Sequence, residues 1–170
     1  LITRCFVLGN KMAKDTAPGE FVGVMLPNMV SSIVTLFALQ AKSRVPAMLN
    51  FSTGSKNLVS ACRTAKIKTV YTSRKFVEAG DLAPLTEAME ESGVRVTWLE
   101  DVAAGVKLID KAIGLLSGFF PSFFHRLAPS CKPDDAAIVL FTSGSEGTPK
   151  GVVLSHANLQ ANRYQLASRV

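Results

Sequence analysis

The sequence predicts an α/β fold: a mainly parallel sheet with flanking helices. Three observations carry this. The runs "FVGVMLP" (21–27), "VPAML" (45–49) and "KTVYTS" (68–73) are short and largely apolar, as strands buried on both faces are. The segments between them have helical periodicity. Strand–helix alternation at this spacing needs crossover connections, which are right-handed and leave neighbouring strands parallel.

Taken in order, residues 1–14 read as the end of an amphipathic helix, closed by the turn-rich "DTAPGE". The first strand stops at Pro27 and Asn28. A helix is expected from about Ser31 to Lys42, with Ile33, Leu36, Phe37 and Leu39 at helical spacing. After the second strand, Ser55 is the expected N-cap of a helix that carries Leu58, Val59, Cys62 and Ala65 on one face. "LAPLTEAMEESG" is a further helix closed by Gly93, and "VRVTWLE" (94–100) alternates as the fourth strand. Residues 104–128 read as a helix packed on the sheet and broken by Pro121. Four phenylalanines near Arg126 and Lys132 leave an interfacial membrane segment as the alternative. "PSCKPDD" (129–135) is a linker, with Asp134 and Asp135 solvated, and "AAIVLFT" is the strand it leads into.

The composition bounds the function. Over 170 residues, 48% hydrophobic content and 19% charged content support one globular core and exclude disorder. The net charge is +6. Its basic residues, Arg44, Lys56, Arg63, Lys66, Lys68, Arg74 and Lys75 among them, are scattered rather than gathered with aromatics. That favours a solvated surface with a modest anion bias, and no nucleic-acid partner is expected. Cys5, Cys62 and Cys131 are odd in number and lack a C-x-x-C pair, so they read as free thiols, two of them partly buried, in a reducing compartment. No apolar run reaches the roughly 20 residues needed to span a bilayer. The chain opens at Leu1 and closes at Val170 inside a helical pattern, and is expected to be a segment of a longer protein.

The stretch "LFTSGSEGTPKGVVLSHANL" (140–159) concentrates the chemistry. Gly144 and Gly147 allow a tight turn and a close approach of the backbone to a ligand. Thr142, Ser143 and Ser145 supply hydroxyls, and successive backbone N–H groups in such a loop form an anion-binding nest. Pro149 stiffens the exit and Lys150 adds a mobile cation. The combination suits the terminal phosphates of a nucleotide. Neither the Walker pattern nor G-x-G-x-x-G is present, because the loop returns into a strand, "VVLS". A Gly/Ser hairpin loop without a ligand is the bland alternative. Without nucleotide, residues 143–149 are expected to be exposed and mobile, since few apolar anchors hold them. His156 reads as the first turn of a helix capped by Ser155, and His125 as packing or surface; no Ser-His-Asp order or metal-ligand spacing is seen.

"TSGSEGTPKG" resembles the phosphate loop of the adenylate-forming, or AMP-binding, superfamily, whose usual form is T-S-G-[ST]-[ST]-G-x-P-K-G. "GVMLPN", "VPAMLNFSTGSKNLVSA", "KTVYTS" and "SHANLQAN" resemble that family's amino-terminal region in order and spacing. Glu146 stands where most members carry Thr or Ser. With "RVPAMLNFSTG" and "IKTVYTSRKFVEAG", it is similar to the subgroup of bacterial acyl-acyl-carrier-protein synthetases joined to a 2-acylglycerophosphoethanolamine acyltransferase.

The resemblance implies a ligase that makes acyl-AMP from a fatty acid and Mg-ATP, then a thioester on acyl carrier protein or CoA, feeding lysophospholipid acylation. It implies ATP and Mg²⁺ as cofactors, and a place on the cytoplasmic side, with the parent protein at the bacterial inner membrane. It implies phosphate binding by Thr142, Ser143, Gly144, Ser145, Glu146, Gly147, Thr148, Pro149, Lys150 and Gly151. Ser143, Gly144 and Ser145 would donate hydrogen bonds, and Lys150 would neutralise departing pyrophosphate. The family completes its site with segments beyond these 170 residues, so the segment alone is expected to be inactive. A non-catalytic phosphate-binding module and a basic membrane-surface module are the other readings.

Overall fold

A computed structural model describes residues 1–120, 131–143 and 149–168. Its sheet has six strands in the order β4-β3-β1-β2-β5-β6. These are β1 (Phe21–Val24), β2 (Val45–Met48), β3 (Thr69–Thr72), β4 (Arg95–Trp98), β5 (Ala136–Ser143) and β6 (Pro149–Ser155). The first five run parallel, with Phe21 opposite Val45, Gly23 opposite Val70, Thr69 opposite Arg95, and Ala47 opposite Val139. β6 returns antiparallel along β5. The expected α/β architecture is therefore present, including the strand–loop–strand frame at its end.

Both faces of β1, β2 and β3 are covered, which is why these strands are apolar without alternation. On one face Met25, Val45, Leu58, Cys62, Val70 and Met89 form a core with α3 (Ser55–Thr64) and α5 (Ala83–Glu91). On the other, Met12, Val22, Val24, Leu39 and Tyr71 pack with α1 (Ile2–Met12) and α2 (Val30–Gln40). Neighbours Val70 and Tyr71 point to opposite cores, as the two-residue period of a strand requires. Cys5 and Cys62 are buried and Cys131 exposed, all as free thiols.

Several local expectations are corrected. Ser55 is not the N-cap of α3: Gly54 is, at φ 81°, and no side chain caps the helix. A 3₁₀ turn over Phe51–Thr53 brings the chain in at an angle that only a positive φ accommodates easily. On α2 the buried face is Val34, Ala38 and Leu39, whereas Ile33 and Phe37 stay about half exposed. The helix is turned because α1 crosses it closely at Gly9, where a Cβ would lie 2.6 Å from the Ala38 carbonyl oxygen. The fourth strand ends at Trp98, since Leu99 and Glu100 already belong to α6 (Leu99–Ala104). α4 (Arg74–Ala79) was not expected at all. The two short helices are tied together: Ser73 donates to Glu100 at 2.6 Å, and Arg74 makes a forked pair with Asp101 at 2.6 and 2.7 Å.

Arg44 is also corrected, from solvated cation to buried anchor at 7% exposure. Its guanidinium donates to the Thr16 hydroxyl at 3.0 Å and to the carbonyls of Ala13, Thr16 and Lys42. It thereby fixes the turn after α1 against the entry to β2.

The helix of segment 104–128 is α7 (Leu108–Phe119), and it packs on α1 rather than on the sheet. The expectations at Pro121, Phe123, Phe124, His125 and Arg126 lie outside the described residues. So does the expectation of an exposed, mobile loop at 144–148.

Candidate functional site

Parallel strands end on one edge of a sheet, and ligands bind there where the connections of adjacent strands leave in opposite directions. β2 and β5 form such a pair. They are neighbours, with Met48 opposite Leu140. From β2 the chain passes through α3 to β3, on one side in the strand order; from β5 it turns to β6, on the other side. A cleft of about 360 Å³ lies at this divergence. Asn50, Thr53 and Asn57 line it from the β2–α3 side, and Phe141, Thr142 and Pro149 from the hairpin.

The hairpin register sets the frame of the loop. Ser143 faces Pro149, Thr142 faces Lys150, and Phe141 faces Gly151. The loop between these ends, Gly144, Ser145, Glu146, Gly147 and Thr148, lies outside the described residues. Thr142 is exposed, and its hydroxyl donates to the Lys150 carbonyl at 3.5 Å, the outer limit of a hydrogen bond. That leaves the hydroxyl free to serve a better acceptor. Lys150 is exposed and has no salt-bridge partner among the described residues. At Gly151 a Cβ would meet Phe141 and Val139 at 3.4 and 3.5 Å, ordinary contact, so packing does not demand a glycine there.

Asn50, Thr53 and Asn57 were not singled out from the sequence. Asn50 Oδ1 accepts from the Ser52 backbone N–H at 3.0 Å and its hydroxyl at 2.8 Å, while Asn57 Nδ2 donates to the Thr53 carbonyl at 3.0 Å. These bonds brace the wall opposite Thr142. The available signal was a polar, glycine-containing connection directly after a parallel strand.

His156 begins α8 (His156–Ala167), and Ser155 caps it, accepting from the Asn158 N–H at 3.2 Å. Asp134 and Asp135 are exposed, the Asp135 carboxylate accepting from the Lys132 N–H at 2.7 Å. Among the described residues no three His, Cys, Asp or Glu side chains converge as a metal site. The donor set that is present, hydroxyl, amides and one free ammonium, fits phosphate oxygens; a magnesium ion accompanying them would lean on those oxygens, as this ion commonly does.

The family model for AMP-binding enzymes matches residues 3–170. The chain belongs to the AMP-binding enzyme family. Among relatives, the long-chain-fatty-acid–CoA ligase 6 of Mus musculus is 30% identical over 153 residues, 84% of this chain and 21% of that protein. The medium-chain-fatty-acid–[acyl-carrier-protein] ligase TtuA of Teredinibacter turnerae is 60% identical over 40 residues, 24% of this chain and 6% of that protein. Among solved structures, ATP-bound MatB from Rhodopseudomonas palustris aligns with a TM-score of 0.70 at 24% identity, covering 98% of this chain and 31% of that one. The fold is thus that of the amino-terminal part of such enzymes. The matched region spans about a fifth of the mouse ligase and under a third of the MatB chain. AMP-binding membership implies use of ATP.

Proposed function

We propose that the chain is part of an ATP-dependent acid–thiol ligase acting on fatty acids. The observation that carries this is the placement of "TSGSEGTPKG": its ends are pinned by the β5–β6 ladder at the carboxyl edge of parallel strands, with Thr142 and Lys150 paired. In the proposed reaction a fatty carboxylate oxygen attacks the α-phosphorus of ATP. The new C–O–P bond forms as the bond to the β-phosphate breaks, releasing pyrophosphate. A thiol sulfur then attacks the acyl carbon, AMP leaves, and the thiol proton passes to solvent.

Residues from Thr142 to Gly151 hold the β- and γ-phosphates. Lys150 and the loop N–H groups meet charge that grows on pyrophosphate as it departs, the kind of interaction that lowers a barrier. Magnesium bound with the nucleotide supplies further charge neutralisation. The ligase names of the mouse and Teredinibacter relatives support a fatty acid substrate, with CoA or acyl carrier protein as acceptor. We assign acyl carrier protein, and lysophospholipid acylation at the inner membrane as the destination of the acyl group, on the sequence resemblance around Glu146.

The test is ATP–pyrophosphate exchange by the intact protein. Exchange that depends on fatty acid supports the reading. Exchange only with an amino acid or aryl acid would leave the phosphate loop standing and remove the fatty acyl assignment.

A further inference from the structure

α7 is built the wrong way round for a helix that serves the protein core. Its seam against α1 is made of small residues: Gly114 and Ser117 are buried, and a Cβ at Gly114 would lie 2.3 Å from Val7 Cγ2 and 3.2 Å from the Thr3 carbonyl oxygen. Asp110 on the same seam is held by Lys11 at 2.6 Å. The large apolar residues point away. Leu108 is 83% exposed, Ile109 65%, Leu116 54% and Phe119 74%. In water a helix normally turns this face inward. A small-residue seam with a large-residue outer face is the arrangement of helices whose surroundings are hydrocarbon.

The neighbouring charges say what covers it. Arg4, Lys107 and Lys111 are exposed and have no acidic partner among the described residues, while the nearby Asp101 and Asp110 are paired with Arg74 and Lys11 and the half-buried Glu100 accepts from Ser73. An apolar groove of about 660 Å³ between α1 and α7, edged by Arg4 and Lys111, continues the surface. Apolar face and unpaired cations together complement an anionic lipid surface. Twelve residues make a helix of about 18 Å, too short for a hydrocarbon core of about 30 Å, so it lies along the boundary rather than across.

We propose that α7 docks the protein onto an anionic lipid bilayer, its Leu108–Phe119 face in the headgroup–acyl boundary and Lys107 and Lys111 on lipid phosphates. This surface shares no residue with the cleft after β5, and it stands or falls apart from the ligase reading.

Flotation of the intact protein with phosphatidylcholine vesicles, with and without phosphatidylglycerol, tests it. We expect binding to the phosphatidylglycerol vesicles that weakens with salt. Leu116→Glu/Phe119→Glu should lower the bound fraction at least about tenfold, as should Lys107→Glu/Lys111→Glu, with melting curves unchanged because all four side chains are exposed. Absence of flotation, equal binding to neutral vesicles, or full binding by Leu116→Glu/Phe119→Glu would overturn the proposal. So would a dimer that this double variant converts to monomer without any vesicle binding.

Discussion

Thr142 and Lys150 sit opposite each other on β5 and β6, the threonine hydroxyl 3.5 Å from the lysine carbonyl oxygen. The pair lies one step inside the last pair of the ladder, Ser143 and Pro149, so backbone pairing, not side-chain packing, sets where the lysine emerges. Among the described residues no acid pairs with its ammonium.

Lys150→Ala is therefore expected to leave the fold intact and to cut fatty-acid-dependent ATP–pyrophosphate exchange by about 10²-fold, the usual scale for one lost contact to developing charge. Exchange kinetics together with circular dichroism check both halves. Wild-type exchange by this variant would remove Lys150 from the phosphate site.

Arg44→Ala should destabilise the protein by about 3 kcal/mol. It strands the carbonyls of Ala13, Thr16 and Lys42 in a buried setting, and unpaired buried acceptors are costly. Arg44→Lys should recover only part of this, because an ammonium cannot reproduce the fork of a guanidinium. Urea unfolding of both variants measures the difference.

Gly23→Ala should cost about 1–3 kcal/mol by overpacking. A Cβ at this central position of β1 would lie 2.6 Å from Val70 Cγ2 and 3.0 Å from Leu49 Cδ1. The companion Gly151→Ala meets only ordinary contacts and should leave the urea midpoint nearly unchanged.

Alkaline pH should weaken the fold before any ligand is considered. Burial pushes the Cys62 thiol up to about 11 and, as the largest of several causes, the Tyr71 phenol up to about 12. Both groups stay neutral in the folded state while the unfolded chain ionises near pH 9 for Cys and pH 10 for Tyr. The unfolded chain then loses protons first, so the stability present below pH 9 declines as pH rises toward 11 and 12. The slope per group is up to about 1.4 kcal/mol per pH unit. Cys62→Ala should flatten the decline between pH 9 and 11, measured as the urea midpoint against pH.

The central parallel strands β1, β2 and β3 were legible because burial on both faces leaves continuous apolar runs. The loop motif was legible for a different reason: glycines, hydroxyls, a proline and a lysine within ten residues have few other uses. What escaped notice depends on tertiary neighbours. α4 and α6 have only six residues each, too few for a period to declare itself, and are held by Arg74 and Asp101 acting across chain segments. Arg44 looks like any basic surface residue until the turn carbonyls around it are placed. Ile33 and Phe37 fit a buried helical face, yet Gly9 beneath Ala38 rotates that face elsewhere. Asn50 and Asn57 gain meaning only once β2 and β5 are neighbours.

That neighbourhood has a kinetic side. The ladder of β5 and β6 joins residues close in sequence, whereas the bond of the hairpin to the rest of the sheet pairs Ala47 with Val139. Closing so long a loop is entropically slow, and contacts of large sequence separation generally form late. The hairpin can thus take shape early while the crevice beside it waits for the last strand to dock. On the proposed reading, a nucleotide offered during refolding would find the phosphate loop before it found the opposite wall.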